Sequence, residues 1–135
     1  MNVVIDTNIL FSALLKTPNK FAETIFLSED TFYAPKQVIA ELFKHQKKIV
    51  RTSRLNEDAV FDLLFLLTKR VIIKDEKEIS NSALQKAHTL CKNVDLMDMM
   101  IVALALDLKA QLWTGDKVLI KGLLSKGFNE FYKIK

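Results

Sequence analysis

Short, mostly apolar runs alternate along this chain with longer segments whose apolar residues recur at helical spacing. The short runs predict strands at residues 3–5, 31–34, 71–73 and 112–114. The longer segments predict helices at residues 8–15, 20–28, 37–51, 56–68, 80–91, 96–109 and 117–124. Residues 129–134 could add a final strand. Apolar strands that alternate with helices indicate a parallel sheet that is covered on both faces.

The pattern therefore predicts a three-layer α/β/α fold with a central, mainly parallel sheet of four or five strands. No segment of the 135 residues reads as a linker or a repeat, so we expect residues 1–135 to form a single domain. Asn8 and Asp95 are the predicted N-caps of the first helix and of the helix at residues 96–109. Residues 17–19 should separate the first two helices.

Composition places the chain among globular proteins, because 50% of its residues are hydrophobic, 27% are charged, and it has only 3 Gly and 2 Pro. Its single cysteine, Cys91, excludes an internal disulfide and fits a reducing compartment. Asp6 interrupts the start of the chain before an apolar signal segment could form. The longest apolar runs are far below transmembrane length. We therefore expect a cytoplasmic protein that has no membrane partner.

Four acidic residues stand far apart in the sequence but at related points of the predicted fold. Asp6 directly follows the first strand, and Asp116 comes just after the fourth. Asp98 lies in the first turn of a helix, and Glu41 lies near the start of the helix after the second strand. In open parallel sheets, ligands bind beyond the carboxyl ends of the strands, where such helices also begin. We expect the four side chains to meet at that edge.

A cluster of carboxylates needs a counter-charge, because like charges held close together cannot all stay ionised. Oxygen-only ligands suit Mg²⁺ or Mn²⁺, so one of these ions is the expected counter-charge. The chain as a whole has a net charge of +4 and a pI of about 9.2, which favours polyanionic partners. A nuclease combines these two properties, since it needs carboxylates to hold metal and cations to hold phosphate.

Four sequence motifs resemble those of the PIN-domain nucleases, in particular the small prokaryotic PIN proteins that act as toxins of toxin–antitoxin pairs. The motifs are residues 5–8 (Ile-Asp-Thr-Asn), Glu41, the apolar helix that opens with Asp98, and residues 113–117 (Trp-Thr-Gly-Asp-Lys). The resemblance spans residues 3 to about 124. It implies a PIN-like fold and a nuclease activity.

The resemblance also implies roles for individual residues. Asp6, Glu41, Asp98 and Asp116 would hold one or two Mg²⁺ or Mn²⁺ ions and form the catalytic set. Glu41 has rivals in Glu23, Glu29 and Asp30, which sit less well relative to a strand end. The remaining matches are a polar position (Asn8), a hydroxyl position near the last acid (Thr114), a cation after that acid (Lys117) and a further metal ligand or outer-shell partner (Asp95).

By the same resemblance, the substrate would be RNA, cleaved to leave a 5′-phosphate. The metal would supply an activated water for in-line attack on a phosphodiester, so no Ser–His or Cys–His pair is needed. The resemblance further implies a homodimer and, for a toxin, an antitoxin protein as partner. Residues 59–67 are apolar almost all round, so this helix is either buried on two sides or meets another chain.

Basic residues continue the helix that carries Glu41. Lys44, Lys48 and Arg51 fall at i, i+4 and i+7 and would line up beyond the acid. They form either a track for RNA or a solvated helix face. Lys117 and Lys121, one turn apart beside Asp116, are rival phosphate contacts.

Other parallel α/β proteins fit the sequence less well. A receiver domain would need an acidic pair after the first strand, and a phosphatase would need an acid where Asn8 stands. No Gly-x-Gly-x-x-Gly run follows a strand, which argues against dinucleotide binding. The alternative that stays open is a non-catalytic α/β module that binds nucleic acid or a protein partner.

Overall fold

The computed structural model describes residues 1–15, 19–92 and 96–134, and in this part of the chain four strands form one parallel sheet. The strands are β1 (Asn2–Ile5), β2 (Thr31–Pro35), β3 (Val71–Lys74) and β4 (Gln111–Trp113). The helices are α1 (Thr7–Ala13), α2 (Lys20–Leu27), α3 (Lys36–Lys44), α4 (Gln46–Ser53), α5 (Glu57–Arg70), α6 (Asn81–Leu90), α7 (Leu96–Leu108) and α8 (Lys117–Ser125). The predicted α/β fold with a central parallel sheet flanked by helices is confirmed.

The strand order β3-β2-β1-β4 places the first and last strands side by side. Val4 of β1 pairs with Tyr33 on one side and with Leu112 on the other, and Ile5 pairs with Trp113. Because both pairings are parallel, the carboxyl ends of β1, β2 and β4 reach the same edge of the sheet. That edge is where the candidate site lies.

The core is built from the apolar strands and from α7. Val3, Val4 and Ile5 have no exposed surface, which is expected for a central strand with both faces covered. Helix α7 packs against β1, β2 and β4, and its residues 100–105 are all buried. Because residues 100–105 are enclosed by the core, they fix the direction of this helix relative to the sheet. In the described ranges, no helix is long and apolar enough to span a membrane.

The N-cap of α1 is Asp6, and the prediction that placed it at Asn8 was wrong. The backbone carbonyl of Asp6 accepts hydrogen bonds from the amides of Ile9 and Leu10, at 3.1 and 3.3 Å, so the helix begins at Thr7. The side chain of Asp6 makes no capping bond. The chain thus passes directly from β1 into α1. Residues 17 and 18 of the predicted break lie outside the described residues, as does the predicted cap Asp95.

The helix predicted at residues 37–51 is two helices, α3 and α4, separated at His45. His45 has φ −101° and ψ 19°, which is outside the helical region, and the chain changes direction at this residue. Each half buries its own apolar residue, Leu42 in α3 and Ile49 in α4. The periodicity continues across the break because both halves are amphipathic, and periodicity alone does not report a change of axis.

The segment at residues 129–134 pairs with the sheet only through an isolated bridge between Leu112 and Phe131. The amide of Leu112 donates to the carbonyl of Glu130, and the amide of Tyr132 donates to the carbonyl of Leu112. The Tyr132 ring lies 5.0 Å from that of Trp113, measured between centroids. The predicted final strand is therefore a short extension beside β4 that aromatic packing holds in place.

On the side of the sheet away from β4, the outer strand β3 is less covered than its apolar sequence suggested. Ile72 and Ile73 are 44% and 36% exposed, because β3 is the edge strand and pairs with β2 alone. Beside it, α5 buries Val60, Leu64 and Leu67 and exposes other apolar residues. We call these exposed residues of α5, which are Phe61, Phe65 and Leu66, the α5 apolar face.

Candidate functional site

Asp6 is a buried carboxylate at the carboxyl end of β1. Its backbone amide donates to the carbonyl of Trp113 at 2.9 Å, which ties it to the end of β4. The residue is only 5% exposed. The hydroxyl of Thr114 donates to Oδ2 of Asp6 at 2.5 Å. The position of this acid is therefore set by two strands that are far apart in the sequence.

The environment of Asp6 opposes its negative charge. Burial raises the pKa of the Asp6 carboxyl above its ordinary value, and the nearby carboxylate of Asp116 adds to the rise. The hydrogen bond from the Thr114 hydroxyl lowers the pKa, as do the nearby backbone amides of Thr7 and Asn8, and together they offset only part of this effect. All of these donors are neutral groups. A cation in the cleft would stabilise the charged form.

Asp116 is held at the start of α8, just beyond β4. Its Oδ1 accepts hydrogen bonds from the backbone amides of Val118 and Leu119, at 3.0 and 3.1 Å, as an N-cap does. Its own amide donates to the Thr114 hydroxyl oxygen at 3.1 Å. Thr114 therefore links the first and the last acid through a single hydroxyl group.

Glu41 and Asp98 come from two further elements. Glu41 lies in α3 with its side chain 39% exposed, and its Oε2 lies 3.3 Å from Nε2 of His45. Asp98 lies in the first turn of α7 and is partly buried. Because α7 is fixed by its packing, Asp98 is placed by the core, whereas Glu41 is placed by a contact on the rim.

These four acids border one cleft of about 510 Å³. Its remaining lining residues are Thr7, Asn8, Phe11, His45, Lys48 and Met97. The structure thus brings together side chains from β1, α1, α3, α4, α7 and the turn after β4. Among Glu41 and its three rivals, only Glu41 lies on this cleft; Glu23, Glu29 and Asp30 line a separate depression beside Tyr132.

The acids have the donor chemistry of a divalent-cation site, since carboxylate oxygens are the ligands that Mg²⁺ and Mn²⁺ prefer. The four acidic side chains border the same cleft, but their carboxyl groups do not converge on a single point. In the described ranges, no three Asp, Glu, His or Cys side chains are grouped closely enough to hold an ion together. Glu41 is turned toward His45. The residues fit an ion by their chemistry and by their common cleft, and their side chains would draw inward to hold it.

The other predicted site residues are spread more widely. Asn8 is exposed and lines the cleft. Lys48 also lines it, whereas Lys44, Arg51 and Lys117 are exposed side chains that are not part of this lining in the described structure. Because α3 and α4 are separate helices, the predicted alignment of Lys44 with Lys48 and Arg51 along one helix was wrong. Asp95 lies outside the described residues.

The sequence analysis gave no role to four lining residues, namely Thr7, which lies in the motif at residues 5–8, and Phe11, His45 and Met97. His45 stands four residues after Glu41, and Phe11 stands three residues after Asn8, so helical spacing could have placed both near the acids. Phe11 reads in sequence as one more apolar residue of α1. The Thr7 hydroxyl is buried and has no hydrogen-bond partner among the described residues.

The chain is thus a parallel α/β protein with an acidic cleft at the carboxyl edge of its sheet, as the motifs that resemble PIN domains predict. A sequence profile of the PIN domain matches residues 4–132, which is nearly the whole chain. The chain belongs to the PIN-domain family, and the resemblance that its motifs indicated is confirmed.

Solved structures share this fold at low sequence identity. The chain is similar to a structure of VapBC2 from Rickettsia felis bound to a DNA fragment from their promoter, with a TM-score of 0.66 and 20% identity over 91% of this chain and 93% of that one. It is also similar to VapC20 of Mycobacterium tuberculosis, described as a sarcin-ricin loop cleaving toxin, with a TM-score of 0.57 and 14% identity over 97% and 99% of the two chains. No curated protein sequence matches this chain significantly.

Proposed function

We propose that this protein is an endoribonuclease that depends on Mg²⁺ or Mn²⁺ and acts as the toxin of a toxin–antitoxin pair. The observation that carries the proposal is the shared cleft of Asp6, Glu41, Asp98 and Asp116, with Asp6 buried at its base. Membership of the PIN-domain family supports a nuclease. The likeness to an RNA-cleaving toxin and to a toxin–antitoxin structure supports RNA as substrate and an antitoxin as partner.

In this mechanism the four acids hold one or two divalent ions. When bound, such an ion lowers the pKa of water to supply the nucleophile and neutralises charge on the phosphate that is attacked. Asp6 and Asp116 are kept in place by the Thr114 hydroxyl, which touches both residues. Asp98 is kept in place by the packing of α7, and Glu41, whose carboxylate contacts His45, would turn toward the ion to bind it. Asp95 is a proposed outer-shell partner.

Substrate binding is assigned to the rim of the same cleft. Asn8 and Lys48 line it, and we assign to them contacts with the backbone of the RNA. Lys44, Arg51 and Lys117 are exposed cations that would add weaker, longer-range attraction, which salt screens. The net charge of +4 favours the approach of RNA to a cleft whose own charge is negative.

The proposal extends to assembly and location. The α5 apolar face exposes Phe65 by 60% and Leu66 by 49%, which is unusual for a helix that faces water alone. We assign this face to a homodimer of the chain. The protein would act in the cytoplasm, as a single domain, and its antitoxin would hold it inactive until released.

The deciding experiment measures cleavage of RNA by the purified protein with Mn²⁺ or Mg²⁺. EDTA and the Asp98→Asn variant should each abolish cleavage, whereas Asp58→Asn, an exposed carboxylate of α5, should cleave like the wild type. Cleavage that survives EDTA or Asp98→Asn would contradict the metal-site assignment. Intact fold and metal binding without any cleavage of RNA would favour a non-catalytic binding module.

The toxin role is tested in cells. Induced expression of the wild type should arrest bacterial growth, and Asp98→Asn at equal protein level should not. Co-expression of the product of the neighbouring reading frame should restore growth, and that product should co-purify with the protein. Growth arrest by both the wild type and Asp98→Asn would show that toxicity does not depend on the cleft.

A further inference from the structure

An aromatic ring and a cation form a wall of the acidic cleft and belong to neither the acid set nor the Thr114 network. Phe11 comes from α1 and Lys48 from α4, and both line the cleft with the four acids. Nζ of Lys48 lies 5.9 Å from the centroid of the Phe11 ring. Phe11 is partly buried and packs against the core, whereas Lys48 is exposed.

This pair has the composition of a binding site for one nucleotide. Aromatic rings beside cations are the usual means by which proteins hold single-stranded nucleic acid, since the ring stacks with a base and the cation meets a phosphate. We propose that Phe11 stacks with an unpaired base of the RNA and that Lys48 contacts a phosphate next to that base. This nucleotide subsite rests on the proposed function, because it assumes that RNA enters the cleft.

The two side chains differ in the way such a subsite requires. Phe11 packs against the core, which restricts the movement of its side chain, and it also lines the cleft. The contact between Lys48 and that ring is close to the outer limit of about 6 Å for a cation–π interaction, so little is lost when the amine moves. A base can therefore displace Lys48 from the ring, and the long lysine side chain can then reach the phosphate.

The negative charge of the cleft also favours a contribution of Lys48 to RNA binding. The cleft gathers four carboxyl groups, which repel the phosphates of any RNA that approaches. In the described lining, Lys48 is the one side chain with a permanent positive charge. It lies on the cleft itself, while Lys44 and Arg51 do not. We therefore expect Lys48 to contribute more to RNA affinity than either of these neighbours.

The subsite specifies a class of substrate. A base inside a double helix is stacked on both faces and offers no free face to Phe11, so a paired nucleotide is excluded from the subsite. The subsite therefore requires at least one unpaired nucleotide in the RNA that enters the cleft. An RNA duplex of the same sequence would bind only through its phosphates.

Binding is measured without cleavage, so that the subsite is tested apart from catalysis. The protein carries Asp98→Asn, and the probe is a fluorescent single-stranded RNA oligonucleotide whose anisotropy reports the dissociation constant. Adding Phe11→Leu, which keeps apolar volume against the core, should weaken binding by about 5-fold to 100-fold. Adding Phe11→Tyr, which keeps the ring, should leave binding within about 2-fold of the parent.

A series of oligonucleotides identifies the base that stacks. Each member lacks one base and keeps the sugar and phosphate. With Phe11 present, removing the base at one position should weaken binding as much as Phe11→Leu does. Combining that oligonucleotide with the Phe11→Leu variant should weaken binding no further. Equal affinity with and without the Phe11→Leu substitution, or additive losses at every position, would overturn the stacking assignment. So would equal affinity for the single strand and its duplex.

The lysine is tested by salt dependence. Lys48→Met, which keeps the apolar stem, should reduce the slope of log affinity against log salt concentration by about 0.7, the value for one lost phosphate contact on a single strand. Lys48→Arg should restore the slope. Lys44→Met is the matched control and should change the slope less. An unchanged slope for Lys48→Met would show that this lysine contacts no phosphate.

The outcomes separate this subsite from the ribonuclease activity. In the active enzyme, Phe11→Leu should raise KM with kcat nearly unchanged, because the lost contact is equal in the ground and transition states. Cleavage by an enzyme whose KM and affinity ignore Phe11→Leu would refute the subsite and leave the nuclease intact. Binding that depends on the Phe11 ring, without any cleavage of RNA, would support the subsite and contradict the ribonuclease activity. No RNA binding by any form of the protein would refute both.

Discussion

The hydroxyl of Thr114 donates a hydrogen bond to Oδ2 of Asp6 across a separation of 108 residues in the sequence. The hydroxyl oxygen of Thr114 also accepts a hydrogen bond from the backbone amide of Asp116. One side chain thereby sets the distance between two acids that lie at the ends of neighbouring strands. We infer that its contribution is to position these acids rather than to contact the substrate.

Removing this hydroxyl should lower activity while the fold is kept. Thr114→Val has nearly the same shape, so kcat should fall by about 10-fold to 100-fold, the usual cost of losing a group that orients metal ligands. The affinity for Mn²⁺, measured by calorimetry, should fall with it. Thr114→Ser keeps the hydroxyl and should retain most of both. Mn²⁺ binding and RNA cleavage that are equal in the Thr114→Val and Thr114→Ser variants would contradict this role.

Asp6 should reduce the stability of the metal-free protein at neutral pH. Burial raises the pKa of this carboxyl above 3.8, so the folded protein binds the proton more tightly than the unfolded chain does. That contribution to stability is fully present below the unfolded pKa and is lost as the pH rises through the folded pKa. Asp6→Asn should therefore raise the melting temperature by a few degrees at pH 7 in EDTA.

The pH dependence provides the check on this prediction. The difference in melting temperature between the wild type and Asp6→Asn should shrink as the pH falls below the folded pKa of Asp6, where both side chains are neutral. Asp58→Asn, at an exposed position in the first turn of α5, is the control and should not raise the melting temperature at pH 7. A lower melting temperature for Asp6→Asn at pH 7 would mean that its hydrogen bonds outweigh the cost of burying its charge.

Metal binding should reverse the order of the two proteins. A ligand that binds only the folded state stabilises it by about 2.7 kcal/mol at a concentration of about 100 times its Kd. Mn²⁺ should therefore raise the melting temperature of the wild type and have little effect on Asp6→Asn. A rise of equal size in both proteins, measured by differential scanning fluorimetry, would place the ion elsewhere.

The α5 apolar face should mediate dimer formation. We expect the wild type to elute as a dimer at micromolar concentration, and Phe65→Glu to elute as a monomer, because the new charge would be buried without a partner. Val118→Glu is the matched control, since Val118 is 80% exposed and lies on α8 rather than on α5. Light scattering on the eluted peak gives the mass. A wild type that is monomeric at every concentration would rule out the dimer.

The last strand should be required for stability as well as for the site. Leu112 in β4 is fully buried, and Leu112→Ala should lower the free energy of unfolding by about 2–5 kcal/mol. Val118→Ala, at a residue 80% exposed on α8, should cost far less. Urea denaturation followed by tryptophan fluorescence measures both. Equal midpoints would show that β4 contributes little to the core.

The sequence predicts the sheet well because its strands are short, apolar runs between helices, a pattern that is typical of parallel strands. It misses the break at His45, because α3 and α4 are each amphipathic and their patterns join without interruption. It also misses the exposure of Ile72 and Ile73, which depends on strand order. Order in a sheet is a tertiary property, and the composition of a strand does not record it.

For the candidate site, topology explains what the sequence could predict. Strand ends and helix starts are readable, and they place Asp6, Glu41, Asp98 and Asp116 on the same edge. Side-chain directions are not readable, so the turn of Glu41 toward His45 and the place of Lys48 on the cleft came only with the structure. The sequence did not indicate Phe11 as a cleft residue, because a partly buried aromatic residue at the border of the core has the same sequence pattern as a fully buried one.

The pairing of β1 with β4 has a consequence for the time at which the cleft can exist. A ribosome makes Asp6, Glu41 and Asp98 well before it makes Thr114 and Asp116, so a growing chain carries an incomplete set of acids. Until residues 111–116 have left the exit tunnel and joined β1, Asp6 lacks the hydroxyl that orients it. A chain in which residues 111–116 have not yet joined β1 therefore lacks the complete cleft.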